Sequence, residues 1–278
     1  MGGIHVLAAL LSAVLHAGWN AAVKASPQPA EAMAGQMVIG AVLILPALAW
    51  TGLPALAAWP WMIASTATNL LTIAVMLHAY TLGGFGVVYP VMRAVSVLCV
   101  VPLSAGLAGD HLSLGALGGI GLIAGSLAML ALSAGRDQSF SPRALLWTLA
   151  AGVCTGGYVM FDARGVRLSG SSLSYGFTVS IVNALTMSWR VRKFGAPWQI
   201  VRRNWRISTP AAIASMASYL LILWVWTQAP IAPAAALRDT SAVFAILIAV
   251  VWLKERITPA RLAALVLAAA AVPLLRLA

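Results

Sequence analysis

Several residues able to do chemistry sit inside apolar stretches of this chain. Residues 3–24 carry His16, Trp19, Asn20 and Lys24. His16 and Asn20 are four apart, so a helix puts them on one face, with Trp19 beside it. Residues 59–82 carry Asn69, His78 and Tyr80, and residues 85–108 carry Tyr89 and Arg93 with Pro90 between them. The second half offers Tyr158 and Asp162, Asn183, Tyr219, Trp224, Trp226 and the adjacent Arg238-Asp239. An ionisable group in lipid costs roughly 2.5–3.5 kcal/mol on insertion scales, so each is a candidate for function. Together they suit a small zwitterionic or hydrophobic solute. Arg93 or Arg238 can meet a carboxylate and Asp239 an ammonium. Trp19, Tyr158 and Trp224 can pack on a side chain, and His16, His78 and Asn20 can orient it.

Each residue also has a plainer reading. Tyr80, Tyr89 and Trp226 fall near expected helix ends, where aromatics form an interfacial belt. Lys24 and Asp162 are close enough to such ends to reach water. Asn69 and Asn183 can bond helix to helix. Arg93 can serve a carbonyl freed by Pro90, and Arg238 one beside Pro233. His16 and Asp239 lie well inside their runs and are the hardest to explain away.

Enzyme signatures are missing. The chain has no His-Glu-x-x-His, Gly-x-Ser-x-Gly, Walker loop or Gly-x-Gly-x-x-Gly. Without a phosphate loop, transport would run on a gradient and not on ATP. Cys99 and Cys154 have no Cys-x-x-Cys spacing and read as small buried hydrophobes. No metal ligand set and no cofactor are expected.

These residues need elements that hold them in lipid. Hydrophobic residues make up 62% of the 278 and charged ones 8%, against about a quarter charged in a soluble domain. The mean hydropathy is +0.94. The net charge of +11 is confined to short gaps between apolar runs, which argues for membrane loops and against nucleic acid. Ten runs are long enough to be spans: 3–24, 32–50, 59–82, 85–108, 113–134, 143–162, 173–190, 208–229, 232–253 and 258–277. All must be helices, because lipid leaves backbone groups no other partner. Residues 1–5 hold no Lys or Arg, so the first run is read as mature protein and not as a signal peptide.

The runs divide into two fives, residues 1–135 and 136–278. The fourth and fifth match the ninth and tenth with a constant offset of 145. Arg93 falls on Arg238, Ser96 on Ser241, Asp110 on Glu255, His111 on Arg256 and Ser113 on Thr258. Gly115, Gly119 and Gly125 fall on Ala260, Ala264 and Ala270, small residues of the kind that let helices approach closely. Gly18-Trp19 aligns with Gly157-Tyr158. A repeat with an odd number of spans enters the bilayer inverted, so the expected fold is an all-α membrane protein of ten helices around a central cavity. Gly83-Gly84-x-Gly86 and Pro230/Pro233 stand at matching joints and read as hinges or tight turns. Of the 17 Lys and Arg, twelve lie in gaps on one side and three on the other. That count puts both termini outside. Six of the twelve sit in residues 190–206, which with Trp198 and Trp205 can form a basic interfacial segment.

The two fives, the punctuation Gly109-Asp110-His111-Leu112-Ser113 and Lys254-Glu255-Arg256-Ile257-Thr258, and the early Gly18-Trp19-Asn20 resemble the EamA-type transporters of the drug/metabolite transporter superfamily. Within it the chain is most similar to the bacterial aromatic amino acid exporters. The resemblance covers essentially the whole chain. It implies a secondary exporter of aromatic and other neutral amino acids in a bacterial inner membrane. It also implies both termini in the cytoplasm, against the charge count. The chain departs from the family at Arg238-Asp239-Thr240, where many members have Glu-Pro, so a coupling role for that glutamate does not carry over. Besides amino acids and membrane lipids no partner is implied, and one chain with both repeats can work as a monomer. Two other readings stand beside this one: export of lipophilic cations, leaning on Asp239 and the aromatics, and a membrane-embedded lipid-modifying enzyme.

Overall fold

Long apolar sequence becomes helix because each N–H and C=O in lipid must be paired within its own segment. The computed structural model describes residues 1–83, 85–135, 141–252 and 258–277. Their α-helices, in chain order, are α1 (Gly3–Lys24), α2 (Pro29–Thr51), α3 (Trp59–Leu82), α4 (Phe85–Ala108), α5 (Leu114–Gly135), α6 (Pro142–Leu168), α7 (Ser172–Arg190), α8 (Pro197–Gln228), α9 (Ile231–Asp239), α10 (Ser241–Trp252) and α11 (Pro259–Leu277). No strand occurs among the described residues. The repeat-ending Lys254-Glu255-Arg256-Ile257, together with Gly84 and Arg136, lies outside them.

Among the described residues eight helices are long and apolar enough to cross a bilayer: α1 to α6, α8 and α11. Two of the ten expected runs fall outside that set, for different reasons. α7 spreads Ser172, Ser174, Thr178, Ser180, Asn183 and Thr186 along its 19 residues. The run expected at 232–253 breaks at Thr240 into α9 and α10, of 9 and 12 residues. There the Thr240 hydroxyl donates to the Leu237 carbonyl at 2.6 Å, and a tight i to i+3 backbone bond closes the last turn of α9.

Two helices exceed their expected bounds. α6 runs on to Leu168, past the end expected at 162, because the first breaker is Gly170, at φ +76°. α8 begins at Pro197 and spans 32 residues, about 48 Å at 1.5 Å per residue. That exceeds a hydrocarbon core of about 30 Å. Arg202, Arg203 and Arg206 thus ride on the first turns of a long helix, not on a separate interfacial segment. Arg203 pairs with Glu31 at 2.9 Å.

Serine and glycine make the close helix contacts. Ser12 on α1 and Ser218 on α8 each donate to the other's carbonyl at 2.7 Å. Ser208 on α8 reaches the Ala32 carbonyl on α2, and Ser126 on α5 reaches the Ala264 carbonyl on α11. Gly119 supplies the close approach of α5 to α11: a Cβ there would sit 2.7 Å from Leu275. α6 lies against α3 and α4, and α1 against α8 and the α9–α10 pair. At Gly152 of α6 a Cβ would lie 2.6 Å from the Val95 Cβ of α4 and 2.9 Å from the Met92 carbonyl. Gly152→Val is expected to cost about 1–3 kcal/mol by overpacking, read as lowered thermal stability in detergent. Gly121→Ala, which meets nothing within 4 Å, is the neutral control.

Leu7, Leu43, Ile63, Leu146 and Ile213 are exposed on the outside of the bundle, where lipid tails take the place of water. Trp226 is wholly buried and so does not join an aromatic belt. The exposed Trp50, Trp189, Trp198 and Trp205 have the placing that a belt requires.

Candidate functional site

The polar interior centres on α1, α4 and α9. Arg93 projects from α4 one turn after Tyr89, and its Nη1 donates to Asp239 Oδ1 at 2.9 Å. Its Nη2 lies 3.0 Å from His16 Nε2 on α1. Its Cζ stands 5.1 Å from the Tyr89 ring centre. All three linked groups are buried: Arg93 is 6% exposed, Asp239 5% and His16 8%. Arg93 is thus committed to a carboxylate and an imidazole, and not to the carbonyl freed by Pro90. Trp19 meets His16 edge-on at 5.1 Å. Tyr158 on α6 and Tyr80 on α3 are within electrostatic reach of Arg93.

Arg238 differs from its repeat mate. It is 8% exposed, and its Nε is buried with no acceptor. Among the described residues no hydrogen bond or ion pair is made by its guanidinium, although Asp162, Asp239 and His16 lie within its electrostatic reach. Trp19 Nε1, Arg93 Nε, Ser96 Oγ and Ser241 Oγ are also buried without a partner. Every one of these groups is a donor, three of them donor only. At these atoms the neighbourhood of α1, α4 and α9–α10 leaves donors unpaired.

Other sequence candidates sit elsewhere. Asn20 spends its amide on the His16 carbonyl of its own helix at 2.7 Å. His78 stacks edge-on against Trp147 at 4.5 Å, between α3 and α6. Trp224 lies against His5 with ring centres 5.2 Å apart. Asn183 is half-buried on α7, which packs against α2, and its Oδ1 has no partner. Cys99 and Cys154 are free and half-buried.

Sequence reasoning placed Asp162 near water, and the structure corrects this. Asp162 is 3% exposed in the body of α6. Ser65 on α3 and Tyr175 on α7 donate to its Oδ1 at 2.5 and 3.1 Å, and Tyr219 on α8 donates to its Oδ2 at 2.9 Å. The signal available in the sequence was the lack of any Gly or Pro breaker between 162 and 169, apart from the helix-tolerated Gly165.

Residues 142–277 match the EamA-like transporter family. The second half of the chain is thus similar to an EamA-like transporter domain. With the eight crossing-competent helices this makes the chain a multi-pass membrane protein. A crystal structure described only as "Crystal structure of protein" superposes with a TM-score of 0.74 over 98% of this chain and 95% of the other, at 17% sequence identity. At that identity the likeness is one of fold. Comparison with curated proteins found no match.

Near the end of α6 Arg167 closes the bundle. It donates to the Trp226 carbonyl at 2.8 Å, the Ala229 carbonyl at 2.9 Å and Asp110 Oδ1 at 3.0 Å. Asp110 Oδ2 in turn accepts the Ile231 N–H at 2.6 Å. One ion pair thus ties the α4–α5 loop, the end of α6 and the α8–α9 turn. Arg167→Ala leaves two carbonyls and a carboxylate short of donors. It is expected to cost about 1–3 kcal/mol or more, seen as a drop in melting temperature that Asp110→Asn only partly reproduces.

A crevice of about 440 Å³ lies between α3 and α7, lined by Leu70, Thr186, Trp189 and Arg190. It shares no residue with the Arg93–Asp239 cluster. It opens where α3 barely meets α7, although α2 packs closely on α8.

Proposed function

We propose that the chain is a secondary transporter that moves small carboxylate-bearing solutes out of the cell, neutral and aromatic amino acids foremost. The carrying observation is Arg238, a buried guanidinium with no hydrogen-bond partner among the described residues. A solute carboxylate is the acceptor it lacks, in bidentate geometry. Trp19, Tyr89 and Tyr158 supply ring faces nearby, and an ammonium can rest on such a face. The cation reading leaned on Asp239, whose carboxylate is already paired with Arg93, so the anion-binding reading is favoured. The transporter domain likewise favours a carrier over a lipid-modifying enzyme.

The architecture in this reading is ten crossings in two inverted fives, 1–135 and 136–278, working as a monomer in a bacterial inner membrane. Helix neighbours support it: α6 packs on α3 as α1 packs on α8, and α6 on α4 as α1 on α9–α10. Rocking of such halves about a central site gives alternating access. Purified protein in liposomes preloaded with unlabelled amino acid should take up the labelled form by saturable counterflow. If no labelled amino acid shows it, the substrate class is wrong.

A further inference from the structure

Asp162 plays no part in that carboxylate site. A carboxylate offers about four lone-pair positions. Ser65 and Tyr175 fill both on Oδ1, while Tyr219 fills one on Oδ2, so one position on Oδ2 stays open. The groups facing Asp162 from the surrounding helices are few. α3 gives Ser65, α7 gives Tyr175, α8 gives Tyr219, and α9 gives Arg238 at electrostatic range without a hydrogen bond. Arg93 on α4 is held by Asp239 and His16. On α6 itself, Arg167 is turned to Asp110 and Arg164 lies over the Trp61 ring. The cage is tight: Tyr175 is fully buried, and its hydroxyl lies 2.6 Å from where a Cβ on Gly165 would be. The ligand that needs no added room is a proton.

We propose that Asp162 is the binding site of a coupling proton, and that protonation loosens the grip of α3 on α6. This rests on the transporter reading above. A proton from hydronium adds to the open lone pair of Oδ2 and leaves water behind; no other bond breaks. The ionised carboxylate holds three charge-assisted hydrogen bonds, each roughly twice as strong as a neutral one. The neutral acid loses that advantage. Ser65 belongs to residues 1–135 and the other cage members to residues 142–277, so the grip that changes is the one between halves. Arg238, the charge opposite Asp162, is also the residue offered to the solute. Proton and carboxylate are therefore linked through one guanidinium, and the coupling is reciprocal.

The test uses liposomes holding the natural chain, Asp162→Asn or Tyr219→Phe. In the natural chain an imposed pH gradient should drive labelled solute beyond equilibrium. Asp162→Asn should keep counterflow and lose the response to the gradient. Tyr219→Phe removes one donor to the carboxylate and should move the pH midpoint of transport up by about one to two units. A gradient response preserved in Asp162→Asn overturns the proposal, and so does natural-chain counterflow indifferent to the gradient. If Asp162→Asn does not fold, an unmoved midpoint in Tyr219→Phe overturns it instead. Loss of counterflow in the natural chain would sink the transport reading alone. The proton is then read by infrared spectroscopy: the carbonyl band of a protonated carboxyl should rise on acidification and move with Tyr219→Phe. Its absence overturns the proposal whatever the solute.

Discussion

Asp239→Ala should lower stability by about 3–5 kcal/mol, the usual cost of stranding one member of a buried ion pair. Arg93 would lose its carboxylate, while Arg238 stays in place one residue before it on α9. Two buried guanidinium groups would then face His16 with only Asp162, held in its hydroxyl cage, to offset them. Thermal unfolding in detergent would show the loss directly. Replacing both partners tests whether the pair itself matters or only its being left half-made. Arg93→Met with Asp239→Leu removes both charges and fills similar volume, and it should recover most of the stability, since buried pairs often break even against apolar side chains. Transport should not recover, because the pair also sets the position of α4 against α9. If the double variant is as unstable as Asp239→Ala, the pair is worth more than its desolvation cost.

The helices were easy to foresee and their ends were not. Long apolar stretches have one solution in lipid, so α1 to α5 and α11 fall close to where hydropathy puts them. Hydropathy ends the sixth run at 162, just ahead of Arg164 and Arg167. In the fold Arg167 turns inward to two carbonyls and Asp110, which a single-residue cost cannot anticipate. The same error moved Asp162 to the water side and hid the hydroxyl cage. Its members Ser65, Asp162, Tyr175 and Tyr219 come from four helices, and no sequence spacing links them. The repeat pairs Arg93 with Arg238, yet their surroundings differ. Arg93 finds Asp239, a residue with no acidic counterpart at Ala94. The break at Thr240 has no match at Val95, where α4 continues. The candidate site lies where the two halves differ in sequence.

Arg238→Met is the substitution whose effects on stability and function should point in opposite directions. A buried guanidinium without a hydrogen-bond acceptor pays a desolvation penalty of several kcal/mol that nothing described in the fold fully returns. Methionine fills much of the same space and needs no partner. The empty protein should therefore be as stable as the natural chain or more so. Binding should suffer, because the lost contacts are charge-assisted hydrogen bonds worth about 1.5–3 kcal/mol, a roughly 10- to 150-fold rise in Kd. Arg238→Lys keeps the charge but not the planar fork, and should fall between the two. Uncharged analogues of the solute, such as amides, should lose little between natural and variant protein, since they never had the carboxylate. Melting curves and binding isotherms on the same samples decide the matter. A strongly destabilised variant that still binds would make Arg238 a structural residue and remove the reason for expecting an anionic group in the solute. Stability held with affinity lost would mean that the chain keeps a costly unpaired charge in its interior because a ligand completes it.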